Sequence, residues 1–206
     1  MTALPILRPD LLTALCLFAF ASSITPGPNN MMLMASGANF GLRRTLPHWA
    51  GVAGGFSTLL LACGFGLGGL FTAVPILHEV LRWAGAAYLV YLAVKIGTSK
   101  SLSSAKSGEA ASRPMTFRGA FAFQAVNVKA WAMALGAVTT YIPAQGYVGN
   151  LLIATAVFVL INIPCVGLWL GCGVALKRFL DRPAILRAFN ITMAVLLIAS
   201  LYPLFL

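Results

Sequence analysis

Apolar residues fill this chain in long runs separated by short polar clusters, and the runs number six. They extend from about Asp10 to Ala38, His48 to Ala73, Val80 to Gly97, Gly119 to Tyr141, Tyr147 to Leu176 and Ala184 to Phe205. A helix crosses the hydrocarbon of a bilayer in about 20 residues, so each run is of spanning length. The pattern predicts an all-α integral membrane protein with six transmembrane helices. It forms a single transport domain over residues 1–206, whose halves, 1–97 and 119–206, are joined by the Ser-rich polar stretch 98–118. Three spans, a long loop and three more spans give halves of opposite orientation, the arrangement of an inverted repeat of three plus three.

The first run is interrupted at Thr25-Pro26-Gly27-Pro28-Asn29-Asn30. Each proline lacks a backbone donor and crowds the preceding turn, and the glycine adds slack, so the first helix is predicted to be broken. The break frees carbonyls before it and N–H groups after it. In a bilayer that is tolerated only where protein or a watery cavity covers the freed groups.

Composition supports the membrane reading. The 206 residues are 60% hydrophobic and 9% charged, with a mean hydropathy of +0.90. Soluble domains carry about 25% charged residues. The net charge of +10 would suit nucleic acid, but its cations fall in short clusters between apolar runs and form no continuous basic face, so no nucleic-acid partner is expected. Arg43, Arg44, Lys100, Lys106, Arg113, Arg118, Lys177, Arg178 and Arg182 lie in alternate loops, against Arg8 and Arg82 on the other side. The positive-inside rule puts those loops in the cytoplasm and both termini in the periplasm. Tyr141, Tyr147, Tyr202 and Trp83 then fall at the outer interface, Trp49 at the inner one, and His48 and His78 at span ends as interfacial groups. Arg8, the apolar run from Leu11 and Ala19-Phe20-Ala21 resemble a signal peptide. Asp10 and the resumption of the apolar run after Asn30 favour instead the first half of a broken span.

Gly51 and Gly55, and Gly167 and Gly171, form two G-x-x-x-G stripes. Such stripes let helices approach closely within one subunit, with a homodimer seam as the alternative use. The four cysteines, Cys16, Cys63, Cys165 and Cys172, lie inside apolar segments without metal-ligand spacing and read as small buried hydrophobes. No hydrolase or nucleotide-binding motif occurs, so neither an enzyme nor a cofactor is expected.

The fourth run carries Gln124, Asn127 and Lys129. Lys129 lies eleven residues beyond Arg118, roughly 16 Å along a helix and far for a lysine stem to reach the interface. A central lysine costs about 2.5–3.5 kcal/mol to insert and should face protein or water. Gln124 and Asn127 serve either as bonds to neighbouring helices or as substrate contacts. Lys95, nearer a span end, reads as an interface anchor. Polar interruptions in the first and fourth runs occupy matching positions of the two halves, the best sequence pointer to a transport site. The N–H groups of Asn29 and Asn30 open a half-helix whose positive end suits a carboxylate, and Lys129 supplies a second positive contact. Carbonyls of Ser22 to Ile24 are then expected to accept an ammonium. The ligand that fits is an amino-acid zwitterion, and the lack of an acidic residue within a span favours a neutral one.

Thr25-Pro-Gly-Pro-Asn-Asn30, with Ala35-Ser36-Gly37, the Gly41-Leu-Arg-Arg44 turn and Trp83-Ala-Gly-Ala-Ala-Tyr-Leu, resembles the LysE/RhtB family of amino-acid exporters. The resemblance covers nearly the whole chain. It implies proton-driven export of small neutral amino acids from a bacterial cytoplasm across the inner membrane. That family usually shows Asn-Pro-Lys in its fourth span, where this chain has Asn127-Val128-Lys129, so no proline forces a second break. A passive channel of the same fold, and a non-transporting scaffold that binds a partner through 98–118, are the rival readings.

Overall fold

The computed structural model describes residues 8–67, 73, 75–98, 113–179 and 182–199. These residues are almost entirely helical, with no strand among them. The helices are α1 (Pro9–Ile24), α2 (Pro28–Phe40), α3 (Leu42–Ala62), α4 (Pro75–Gly97), α5 (Phe117–Phe123), α6 (Val128–Tyr141), α7 (Tyr147–Leu176) and α8 (Pro183–Ala199). Among the described residues, Leu42–Gly66 and Tyr147–Leu176 are long and apolar enough to cross a membrane singly. The pairs α1 with α2 and Phe117–Val126 with α6 meet the same standard when each is taken together, bent by 51° and 67°. Trp83–Gly97 and Pro183–Ala199 are shorter apolar helices. The outer surface is apolar, with Leu160 73%, Ile76 67% and Leu17 65% exposed, as lipid-facing side chains would be.

The first break follows its sequence. Thr25 and Gly27 are extended, and Pro28 starts α2 at the position where a missing N–H costs nothing. The second break is present although Val128 replaces a proline. The helix tightens into a 3₁₀ turn over Gln124–Val126, Asn127 is extended (φ −86°, ψ 98°), and α6 begins at Val128. Its freed backbone is covered: the Trp131 indole N–H donates to the Ala125 carbonyl at 2.8 Å, and α4 lies against the Val126 carbonyl at Gly85.

Helix pairing depends on small residues. A methyl on Gly51 would overlap the Phe117 carbonyl, and one on Gly55 would lie 2.7 Å from that of Phe121, so this G-x-x-x-G seats α3 on α5 within the chain. The second stripe behaves differently. Gly167 faces the Trp49 ring and Gly171 faces open space. The close crossing of α7 is made by Gly173 against the Met34 backbone, answered by Gly37 of α2 against Leu170. Two apolar clusters complete the interior. Leu15, Phe56, Leu151 and Phe158 join α1, α3 and α7 with α6, and Met31, Met32, Leu89, Phe123 and Leu197 join α2, α4, α5 and α8.

The Trp49 indole donates to the Ile163 carbonyl at 3.1 Å and so ties α3 to α7. Several expected placements are corrected. His48 is not interfacial and is only 2% exposed. Of the cysteines, Cys63 and Cys165 are buried, Cys16 is half-buried and Cys172 is exposed. The His78 and Arg82 side chains, Tyr202 and most of 98–118 lie outside the described residues.

Gly173→Ala should cost about 1–3 kcal/mol, because the helix itself must move to admit the methyl. Thermal unfolding in detergent should show the loss, while Gly171→Ala, with nothing within 4 Å, should stay near wild type.

Candidate functional site

The two breaks meet. Asn29 Nδ2 donates to Gln124 Oε1 at 2.9 Å, and Gln124 Nε2 donates back to Asn29 Oδ1 at 3.1 Å. Gln124 also donates to the Ala120 carbonyl at 2.9 Å and accepts from Asn127 Nδ2 at 3.3 Å. Lys129 reaches across from the start of α6. Its ammonium donates to the Thr25 carbonyl at 2.8 Å, the Thr25 hydroxyl at 3.0 Å and the Pro26 carbonyl at 3.2 Å. Of the residues singled out in the sequence, Asn29, Gln124 and Asn127 thus form one hydrogen-bonded set and Thr25, Pro26 and Lys129 a second, each joining the two breaks. Gly27 lies directly under the lysine stem, where a Cβ would come 2.7 Å from Lys129 Cδ. Asn30 turns back to its own break, donating to the Ser23 and Thr25 carbonyls at 2.9 and 2.8 Å.

The carbonyls of Ser22 to Ile24, expected to await an ammonium, all have internal donors. Ser22 accepts from the Thr25 hydroxyl at 3.0 Å, Ser23 from Asn30, and Ile24 from the Trp169 indole at 3.0 Å. The physical reason is the lipid: carbonyls freed at this depth are costly unless partnered, so the fold partners them itself. Unpartnered acceptors stand elsewhere. Asn162 of α7 donates to Ser23 Oγ at 3.0 Å, which leaves its Oδ1 without a donor, and Asn127 Oδ1 is likewise buried and unpaired.

Both oxygens belong to residues lining a cavity of about 20 Å³ between the breaks. Pro28, Asn29 and Asn30 of α2 line it together with Lys129 and Ala130 of α6. Two half-helix N-termini therefore converge on one space, each bringing partial positive charge and free N–H groups. Among the described residues no carboxylate pairs with Lys129, so the site has an excess of positive charge for an anionic group to complete. The volume suits a water molecule and is too small for an amino acid.

Sequence reasoning missed Asn162 and Trp169, and at Ser23 it pointed to the carbonyl and not to the hydroxyl that Asn162 meets. Asn162 had a signal, since an amide inside an apolar run obeys the same rule that found Gln124. Trp169 had none, because its indole is indistinguishable from a lipid-facing ring until α7 is placed against α1.

The sequence has relatives among known proteins. The family model for the LysE type translocator matches residues 20–200, and the chain belongs to that family. It is 32% identical over 194 residues to the cysteine/O-acetylserine efflux protein of Escherichia coli O139:H28, covering 93% of this chain and 96% of the relative. The proteins of that description from Escherichia coli K12 and Shigella sonnei are each 34% identical over 139 residues, with 68% of this chain and 69% of the relative covered. No solved structure matches.

A double-mutant cycle on Asn29→Ala and Gln124→Ala should return a coupling of about 0.5–3 kcal/mol in thermal stability, the signature of a direct buried pair. Additive losses would show that the two amides act separately.

Proposed function

We propose that this protein exports small neutral amino acids or their derivatives, of the cysteine/O-acetylserine or homoserine/threonine kind, across the bacterial inner membrane. It does so by alternating access. The observation that carries the reading is the convergence of two half-helix N-termini and Lys129 on one cavity. The substrate carboxylate is drawn to the N–H groups of Asn29 and Asn30 and to Lys129, and its ammonium to Asn127 Oδ1 and Asn162 Oδ1. Thr25, Pro26, Gly27, Pro28 and Gln124 shape and hold that site.

The small volume supports a site that must widen to load. Lys129 acts as a latch, since its three bonds to Thr25 and Pro26 bind the halves together and can be exchanged for a carboxylate. The single domain is an inverted repeat of six spans with both termini in the periplasm. Helix pairing supports the repeat: exchanging the halves turns α2 with α7 into α6 with α3, and α3 with α5 into α7 with α1. All four pairs are in contact, as is α4 with α8, which the exchange maps onto itself.

Lys129→Met should insert normally and lose export at least about tenfold, as expected for removal of a charged hydrogen-bond donor. Wild-type flux from that variant would remove Lys129 from the mechanism. Pro26→Ala with Pro28→Ala should straighten the first span and abolish transport, while undiminished flux would make the break purely structural. In vesicles, accumulation of cysteine or O-acetylserine against its gradient should collapse with an uncoupler. Equilibration without accumulation would identify a channel.

A further inference from the structure

A second and much larger cavity, of about 340 Å³, opens beside the first, at the end of the molecule where Arg43, Arg44 and Lys177 also lie. Ser36, His48, Tyr88, Tyr91, Lys95 and Arg113 line it. Lys95 and Arg113 are exposed at its rim, and among the described residues neither pairs with a carboxylate. His48 belongs to its wall, 2% exposed, with both ring nitrogens buried and neither hydrogen-bonded.

An imidazole buried with both nitrogens unpaired is costly and needs a partner that the fold does not provide. In its neutral form one nitrogen is a donor and the other an acceptor. A plain anion would satisfy the N–H alone and leave the bare nitrogen without a partner. An α-amino acid brings both an acceptor carboxylate and a donor ammonium, while Lys95 and Arg113 add the charge that draws the carboxylate in. The remaining walls are mainly apolar and aromatic, including Met32, Phe40 and Met115, with Asn39 and Thr116 as further polar groups, and the volume suits a small molecule with water.

We propose that this cavity is a cytoplasmic capture site for the zwitterionic amino acid, separate from the space between the breaks and occupied before it. The assignment of amino acids as cargo rests on the export reading above. Position supports the order of occupation. Along α2 the chain runs from Ser36 in the cavity through Met32 and Met31 to Asn29 at the break, and along α5 from Gly119 through Phe123 to Gln124. Met31, Met32 and Phe123 pack together with Leu89, so a single apolar layer separates the two spaces.

Calorimetric titration of the full chain in phosphatidylcholine nanodiscs tests this, with O-acetyl-L-serine, L-cysteine, propionate and inorganic phosphate as probes. Lys129→Met should keep one binding equivalent for O-acetylserine or cysteine. On that background His48→Phe, and Lys95→Gln with Arg113→Gln, should each weaken binding about tenfold or more, as for loss of a charge-assisted bond. His48→Gln, which keeps a donor and an acceptor, and Lys95→Arg should restore it. Propionate, with no donor for the bare nitrogen, should bind at least about tenfold more weakly than the amino acids, and phosphate, whose hydroxyl is only a neutral donor, should also bind more weakly. Loss of all binding in Lys129→Met, indifference to His48→Phe in a folded protein, or phosphate binding as tightly as O-acetylserine would each overturn the proposal. Flux measured on the wild type separates the two readings. Binding at His48 without transport overturns export alone, and transport with unaltered binding and flux in His48→Phe overturns the capture site alone.

Discussion

The interaction on which this structure depends is the bond from the Lys129 ammonium to the carbonyls of Thr25 and Pro26. Breaking a helix within a bilayer releases acceptors that lipid cannot satisfy, and burying a cation there is costly in its own right. Each liability answers the other. The lysine offsets the negative end of α1, and the carbonyls give the ammonium oxygen partners. Each feature is costly alone, so the bend between α1 and α2 and the cation of α6 go together.

The same logic runs outward from that bond. Asn30, Trp169 and Thr25 cover the remaining carbonyls of the first break, and Trp131 covers the second. The Asn29–Gln124 amide pair then ties the two breaks to each other. What these partners leave over is informative: the oxygens of Asn127 and Asn162 in the small cavity, and the imidazole of His48 in the large one. A further unpaired oxygen, Asn150 Oδ1 near the start of α7, belongs to neither cavity.

Much of this was legible in the residues. The first break follows from two prolines whose geometry forbids a continuous helix, and Lys129 from the cost of a cation far from the interface. The paired role of Gly51 and Gly55 followed from the small-residue rule. The second break did not follow, because it is enforced by tertiary caps: a 3₁₀ turn, the Trp131 indole and the approach of Gly85, none of which has a local signature. His48 misled for a related reason. Its distance along the chain from the Arg43–Arg44 turn suggests an interfacial ring, whereas it is buried on α3, which packs against α2 and α5. Asn162 was within reach of the rule applied to Gln124 and marks where that rule should have been extended.

Gly27 changes its meaning in this setting. Its backbone is extended, with φ near 180°, a conformation open to any residue, so the motif does not use its freedom to turn. What it uses is the missing side chain, over which the Lys129 stem lies. The glycine between the two prolines is a socket cut to the width of a lysine from α6. Residues 27 and 129 form one lock-and-tenon joint: added bulk on the first lifts the second off its oxygens, even though each helix, taken alone, would accept the change.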